Sequence, residues 1–216
     1  NRYIHDKEVD MPRNTSHAIV NPTTLKTLTK SILAISLSMA GLAHAELYSS
    51  VTFFGDSLTD GGYFSPITQG KLGIKESGQF TTNPDNVWAT SFAEQLGTTA
   101  VPIVYLGNQA GNNYAIGGAR AGKDIVNTDF GVNVPVASVN TQVNGYLANK
   151  KVDPNGMYVV WGGANDLLAA AANPANAINT ISSAAGSQVA AIKALKDKGA
   201  NYILVPNIPD IGLTPT

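Results

Sequence analysis

Three short stretches of this sequence hold the groups that acyl transfer needs. Ser57 stands in Gly55-Asp56-Ser57-Leu58, directly after the apolar run 51–54. A serine on a tight turn leaving a buried strand can present its hydroxyl at a sheet edge, where backbone amides can receive an oxyanion. Asp56 and Ser57 also have an ordinary use as caps of a turn or helix start. Gly117-Gly118, inside 112–120 (NNYAIGGAR), exposes backbone N–H with no side chain in the way. Asn165, in 162–167 (GGANDL), can donate a side-chain N–H to developing negative charge, or simply stabilise a turn, with Asp166 placed to cap the next segment. A serine hydroxyl needs a base to take its proton. The three histidines are His5, His17 and His44, and none follows Ser57. Lys71, Lys75 and Lys123 are other basic groups, but no spacing singles one out.

The elements that would position these groups are legible as alternating strands and helices. Apolar runs at 51–54, 101–106, 157–161 and 202–205 read as buried strands. Asn83-Pro84 announces a helix whose apolar face is Val87, Trp88, Phe92 and Leu96, closed by Gly97. A short helix is expected over 138–149, weakened by Gly145. An Ala-rich helix is expected over 174–198, with Ile178, Ile181, Val189, Ile192 and Leu195 on its buried side and Gly199 as its left-handed cap. This alternation implies parallel β-α-β units in an open α/β sheet, with functional loops at the carboxyl ends of the strands.

Taken together, 53–62 (FFGDSLTDGG), 112–119 (NNYAIGGA) and 162–166 (GGAND) resemble the three sequence blocks of the GDSL esterase/lipase family, the SGNH hydrolases. The resemblance runs from about Val51 to the last residue. Stretches 83–97 and 202–215 are similar to its branch of secreted bacterial lipases and autotransporter esterases. It implies a three-layer α/β/α, flavodoxin-like, mostly parallel sheet. It also implies Ser57 as the nucleophile, with an oxyanion hole from the N–H of Ser57, the N–H of Gly118 and the side chain of Asn165. The family's base is a histidine in a C-terminal Asp-x-x-His block. Here Asp210 is followed three places on by Leu213, so the catalytic Asp and His are not present in this chain. The chain is therefore expected to be a C-terminally incomplete fragment, inactive by itself, of a Ser-dependent carboxylic-ester hydrolase. Phospholipase, acyltransferase and carbohydrate acetylesterase activities would use the same loops. A non-catalytic binding or adhesion domain on the same scaffold is the reading from another class.

Residues 31–42 form an uncharged, largely apolar run after Lys26 and Lys30, and Ala43-His44-Ala45 is an A-x-A cleavage signal. Residues 11–45 are thus expected to be a signal peptide, 1–10 upstream read-through or a scar, and 46–216 the hydrolase domain. Export to the cell exterior or a bacterial outer-membrane surface follows, with an outer-membrane β-barrel as the partner domain that the autotransporter branch would add downstream. From residue 46 onward there are 9 basic and 12 acidic residues, and the whole chain is 13% charged and 44% apolar. That balance supports a real core and gives no footprint for nucleic acid. The expected partner is a small-molecule or lipid ester. With no cysteine and no His/carboxylate cluster after residue 45, neither a metal nor a cofactor is implied.

Overall fold

A computed structural model describes residues 47–72, 79–80 and 85–213. The expected leader, Lys75 and the Asn83-Pro84 helix signal lie outside them.

Strand β1 (Val51–Gly55) is buried along its whole length. It pairs in parallel with a later strand, Met157–Trp161, in register from Val51 opposite Met157 to Gly55 opposite Trp161. That strand pairs in parallel in turn with Tyr202–Leu204. Because side chains alternate along a strand, β1 divides its burial between two layers. Val51 and Phe53 pack with Val159 against Ala89 and Ala93 of helix α2 (Trp88–Gln95) and Val87 just before it, while helix α1 (Ser65–Leu72) comes earlier in the chain. Phe54, with Tyr158 and Val160, faces the other way, toward Val139, Val143 and Tyr146 of helix α3 (Val139–Asn149). Two short strands not expected from the sequence, β2 (Ile125–Asn127) and β3 (Val134–Val136), form an antiparallel hairpin before α3. Val134 and Val136 of β3 cover a third apolar cluster with Tyr63, Phe64 and Ile116.

In chain order Met157–Trp161 is β4, followed by α4 (Ala164–Ala172), a 3-10 turn (Pro174–Asn176), α5 (Ala177–Asp197) and β5 (Tyr202–Leu204). The main sheet has order β1-β4-β5. Helices on both faces of a parallel sheet make it the three-layer α/β/α body that the sequence implies.

Four expectations need correction. The run 101–106 is not a strand: Pro102 has no N–H to give, Leu106 sits at φ 55°, and the run meets its neighbour through one parallel bridge, Pro102 to Asn113. Its place beside β1 is taken by 112–114, where Phe53 N–H donates to Asn112 O at 2.9 Å and Tyr114 N–H donates to Phe53 O at 2.8 Å. Helix α2 starts at Trp88, after Val87, which gives no side-chain cap. Its apolar face is as expected, and Gly97 closes it at φ 75°. Helix α4, absent from the sequence reading, follows directly on Gly163.

The fourth correction concerns α5. Ala184, Ala191 and Leu195 are buried, whereas Ile178, Ile181 and Val189 are exposed. The buried three lie seven and four residues apart, on one helical face, and alanine on that face admits neighbouring helices closely. Leu195→Ala is therefore expected to destabilise the chain by about 2–5 kcal/mol, the usual loss for emptying a packed site. Ile178→Ala should change stability by less than about 0.5 kcal/mol. Urea unfolding of the two variants checks this, and equal losses would contradict the assignment of faces.

Candidate active site

The site is built where β1 and β4 end side by side. Gly55 closes β1 opposite Trp161, and a Cβ on Gly55 would lie 2.6 Å from the Trp161 carbonyl oxygen. Glycine is needed here for space. Its backbone leaves the ladder but is not left unpaired. Gln142 of α3 accepts the Gly55 N–H through Oε1 at 2.9 Å and donates through Nε2 to the Gly55 carbonyl at 2.9 Å. The Ile116 N–H donates to that carbonyl as well, at 3.1 Å.

Beyond Gly55 the chain turns. Thr59 and Asp60 both donate their N–H to Asp56 O at 3.0 Å, and Leu58 N–H donates to Asp56 Oδ1 at 3.1 Å. Asp56 thus caps the turn, as its residue type suggests. Ser57 rides on it, half-buried, and neither its hydroxyl nor its N–H is bonded to a described residue.

The glycine stretch is held at every point but one. Gly117 N–H donates to Asp60 Oδ2 at 2.7 Å. Ala119 O accepts from Asn165 Nδ2 at 2.9 Å, and Ala119 N–H donates to Ile116 O at 3.0 Å. Arg120 Nε and Ala121 N–H donate to the two oxygens of Asp166, at 2.8 and 2.7 Å. Gly118, between these ties, sits at φ 81°, a conformation that favours glycine, and its N–H meets no acceptor among the described residues. Asn165 and Asp166 occupy the first turn of α4, launched by Gly163 at φ 108°. Asp166 does not cap α4: its carboxylate reaches back to the glycine stretch and pairs with Arg120.

Gly118 and Asn165 are therefore brought together through the Ala119 carbonyl, and the Ser57 turn is tied to the same stretch through Asp60. The sequence reading did not single out Asp60, Asn113 or Gln142. Asn113 is fully buried and donates through Nδ2 to Thr59 O at 2.8 Å, fastening the serine turn to the segment beside β1. A second Asp just after GDSL was the available signal for Asp60. A single Gln in an amphipathic helix gives none for Gln142. Lys123 is exposed, and no ion pair among the described residues joins it to the site.

Two of the carboxyls are shifted. Burial pushes Asp56 up to about 6 against the pull of its hydrogen bonds, with the Asp166 carboxylate adding a smaller push. Burial likewise pushes Asp60 up to about 6, although the N–H groups of Tyr63, Gly62 and Gly117 favour its charged form. Beside the site, an apolar cavity of about 390 Å³ lies between Leu167, Leu168 and Ala171 of α4 and residues 208–212. Ile208 approaches Gly163, where a Cβ would lie 3.0 Å from its Cδ1.

The mixed α/β body with its mostly parallel sheet is that of the α/β/α SGNH hydrolases. The family model described as GDSL-like Lipase/Acylhydrolase matches residues 51–216, and the chain belongs to that family. Among its relatives are "Lipase 1" of Photorhabdus luminescens, 36% identical over 84% of this chain and 25% of that protein, and "Esterase EstA" of Pseudomonas aeruginosa, 32% identical over 88% and 33%. "Phosphatidylcholine-sterol acyltransferase" of Aeromonas hydrophila is 27% identical over 84% and 51%. The chain spans about a quarter to a third of the length of the first two.

The shifted Asp56 carboxyl has a consequence for stability. Its folded value, about 6, lies above the ordinary 3.8, so the folded state holds a proton more tightly than the unfolded one. Stability from this group is greatest below about pH 4 and is lost as pH rises through about 6. Asp56→Asn keeps an oxygen for Leu58 N–H and carries no charge. It is expected to stabilise the chain by about 1–3 kcal/mol at pH 7.5 and by nothing measurable at pH 4. Urea unfolding at both values checks the sign; an equal effect at both would show that charge burial is not the cause.

Proposed function

We propose that the protein carrying this chain is a carboxylic-ester hydrolase that works through an acyl-enzyme on Ser57. One observation carries the reading. Ser57, Gly118 and Asn165 are each half-buried and reachable, while Asp56, Gly117, Ala119 and Asp166 beside them are buried and bonded. In this reading Ser57 Oγ attacks the ester carbonyl, and the oxygen that becomes negative receives the N–H of Ser57, the N–H of Gly118 and the second N–H of Asn165. The first N–H of Asn165 stays on the Ala119 carbonyl and aims the amide. The alcohol leaves, and water then releases the acid. Discharge to an alcohol instead would make the same site an acyltransferase. The apolar cavity lined by Leu167 and Leu168, two and three residues past Asn165 on α4, suits an acyl chain, which favours lipid or short-chain acyl esters.

The proton of Ser57 is assigned to a histidine in an Asp-x-x-His block encoded beyond Thr216, and the segment 11–45 to export toward the cell surface. An esterase spanning several times this length leaves room for that block and for a membrane-embedded β-barrel after it.

The test is covalent. A fluorophosphonate should label the natural protein and fail on Ser57→Ala, and p-nitrophenyl ester turnover should vanish with the label. Asn165→Ala should lower kcat by about 10²–10³-fold, the usual loss for one oxyanion donor. Labelling and turnover that survive Ser57→Ala would overturn the assignment.

A further inference from the structure

The two N–H groups of Gly117 and Gly118 are neighbours on one backbone, and an oxyanion could in principle be offered either. What separates them is Asp60. This side chain is fully buried and accepts three backbone N–H groups: Gly62 at 2.8 Å and Tyr63 at 2.7 Å on Oδ1, and Gly117 at 2.7 Å on Oδ2. The first two belong to its own turn and would serve any Asx cap. The third comes from a residue 57 positions away and consumes the Gly117 N–H completely. A stretch containing two consecutive glycines has little backbone stiffness of its own. Its other end is fixed by Asp166 through Ala121 N–H and Arg120.

We propose that Asp60 is a positioning residue of the ester-hydrolase reaction: by binding the Gly117 N–H it fixes the peptide that follows, so that of the two glycine amides it is Gly118 N–H that is presented to the reacting oxygen. The role rests on the reading of Ser57, Gly118 and Asn165 given above. Asp60 does not touch the substrate. It acts by orienting a donor that does, and donors pay off only when their geometry is set before the transition state.

The experiment separates this role from a purely structural one. In the ¹⁵N-labelled chain, the Gly117 amide should be strongly protected from exchange and shifted downfield by the carboxylate. Lowering the pH through about 6 should move that resonance and weaken its protection, because a protonated Asp60 loses acceptor strength toward it. Tyr63, whose N–H is on Asp60, has its phenol pushed up from the ordinary 10 by burial and contributes no transition near pH 6. Asp56, on the same turn and also pushed up to about 6, is kept in Asp60→Asn, so that variant separates the two carboxyls. The wild-type titration needs no variant and holds even if one misfolds. In Asp60→Asn the shape is kept, but an NH₂ faces one of the three N–H groups. The pH transition at Gly117 should disappear, and ester turnover by the natural protein should fall about 10²-fold in kcat with KM changed less than twofold.

A Gly117 amide that is unprotected or blind to pH in the wild type would overturn the proposal, whatever the activity. So would an Asp60→Asn protein that loses the Gly117 bond but keeps full kcat, provided Ser57→Ala abolishes turnover; there the hydrolase reading stands and the positioning role falls. If Ser57→Ala leaves turnover intact, the hydrolase reading fails, and Asp60 has no reaction to position.

Discussion

A parallel sheet must end somewhere, and at its carboxyl edge the backbone groups of the last residue lose their ladder partners while still buried. Leaving them unpaired would cost roughly 1–3 kcal/mol each. At Gly55 that demand is met from two directions, by the Gln142 amide of α3 and by Ile116 N–H. Everything that follows depends on it. The bond to Ile116 brings the glycine stretch to the end of β1, and the close pass of Gly55 to the Trp161 carbonyl brings the end of β4 beside it. Three segments separated by some fifty residues each thus meet at one edge through backbone satisfaction before any question of chemistry arises.

Carboxylates then do the fine placement. Asp60 and Asp166, on different segments, grip opposite ends of the 117–121 stretch through backbone N–H groups. Burial makes the charge on such groups unfavourable, which is why Asp56 and Asp60 are pushed up to about 6. The penalty is tolerated because a carboxylate accepts several N–H groups at once. A neutral amide would have to turn a donor toward one of them. The site therefore gives up some stability for geometry, as strained or polar sites commonly do.

How much of this could be read from the sequence follows from how local each signal is. Strands β1, β4 and β5 are visible because each is written as an unbroken apolar run, although only β1 is buried along its whole length. Helix α3 is found where the sequence places it, and Ser138 caps it, accepting from Thr141 N–H. The run 101–106 looked the same as those strands, yet Pro102 removed a donor and one bridge was all that formed. On α5 Leu195 is buried as expected, but the rest of that face is carried by Ala184 and Ala191, too small to mark it in an apolar pattern, while Ile178 and Ile181 face outward. The three positions proposed for the reaction, Ser57, Gly118 and Asn165, are legible through motif alone. Gln142 and Asp60 were not, since their partners lie 87 and 57 residues away and no local pattern marks a long-range hydrogen bond.

The adjacent glycines show why motif and mechanism are separate levels of reading. Gly117 and Gly118 are interchangeable in a sequence, but the fold asks different things of them. At 117 a side chain would strike the Phe80 ring, 2.3 Å from the Cβ position, and its N–H is taken by Asp60. At 118 there is room for a Cβ, with the nearest atom at 4.0 Å, and the requirement is the backbone angle, φ 81°. One glycine is needed for packing and the other for conformation. The N–H of the conformational one meets no acceptor among the described residues, which is consistent with the donor role proposed for Gly118.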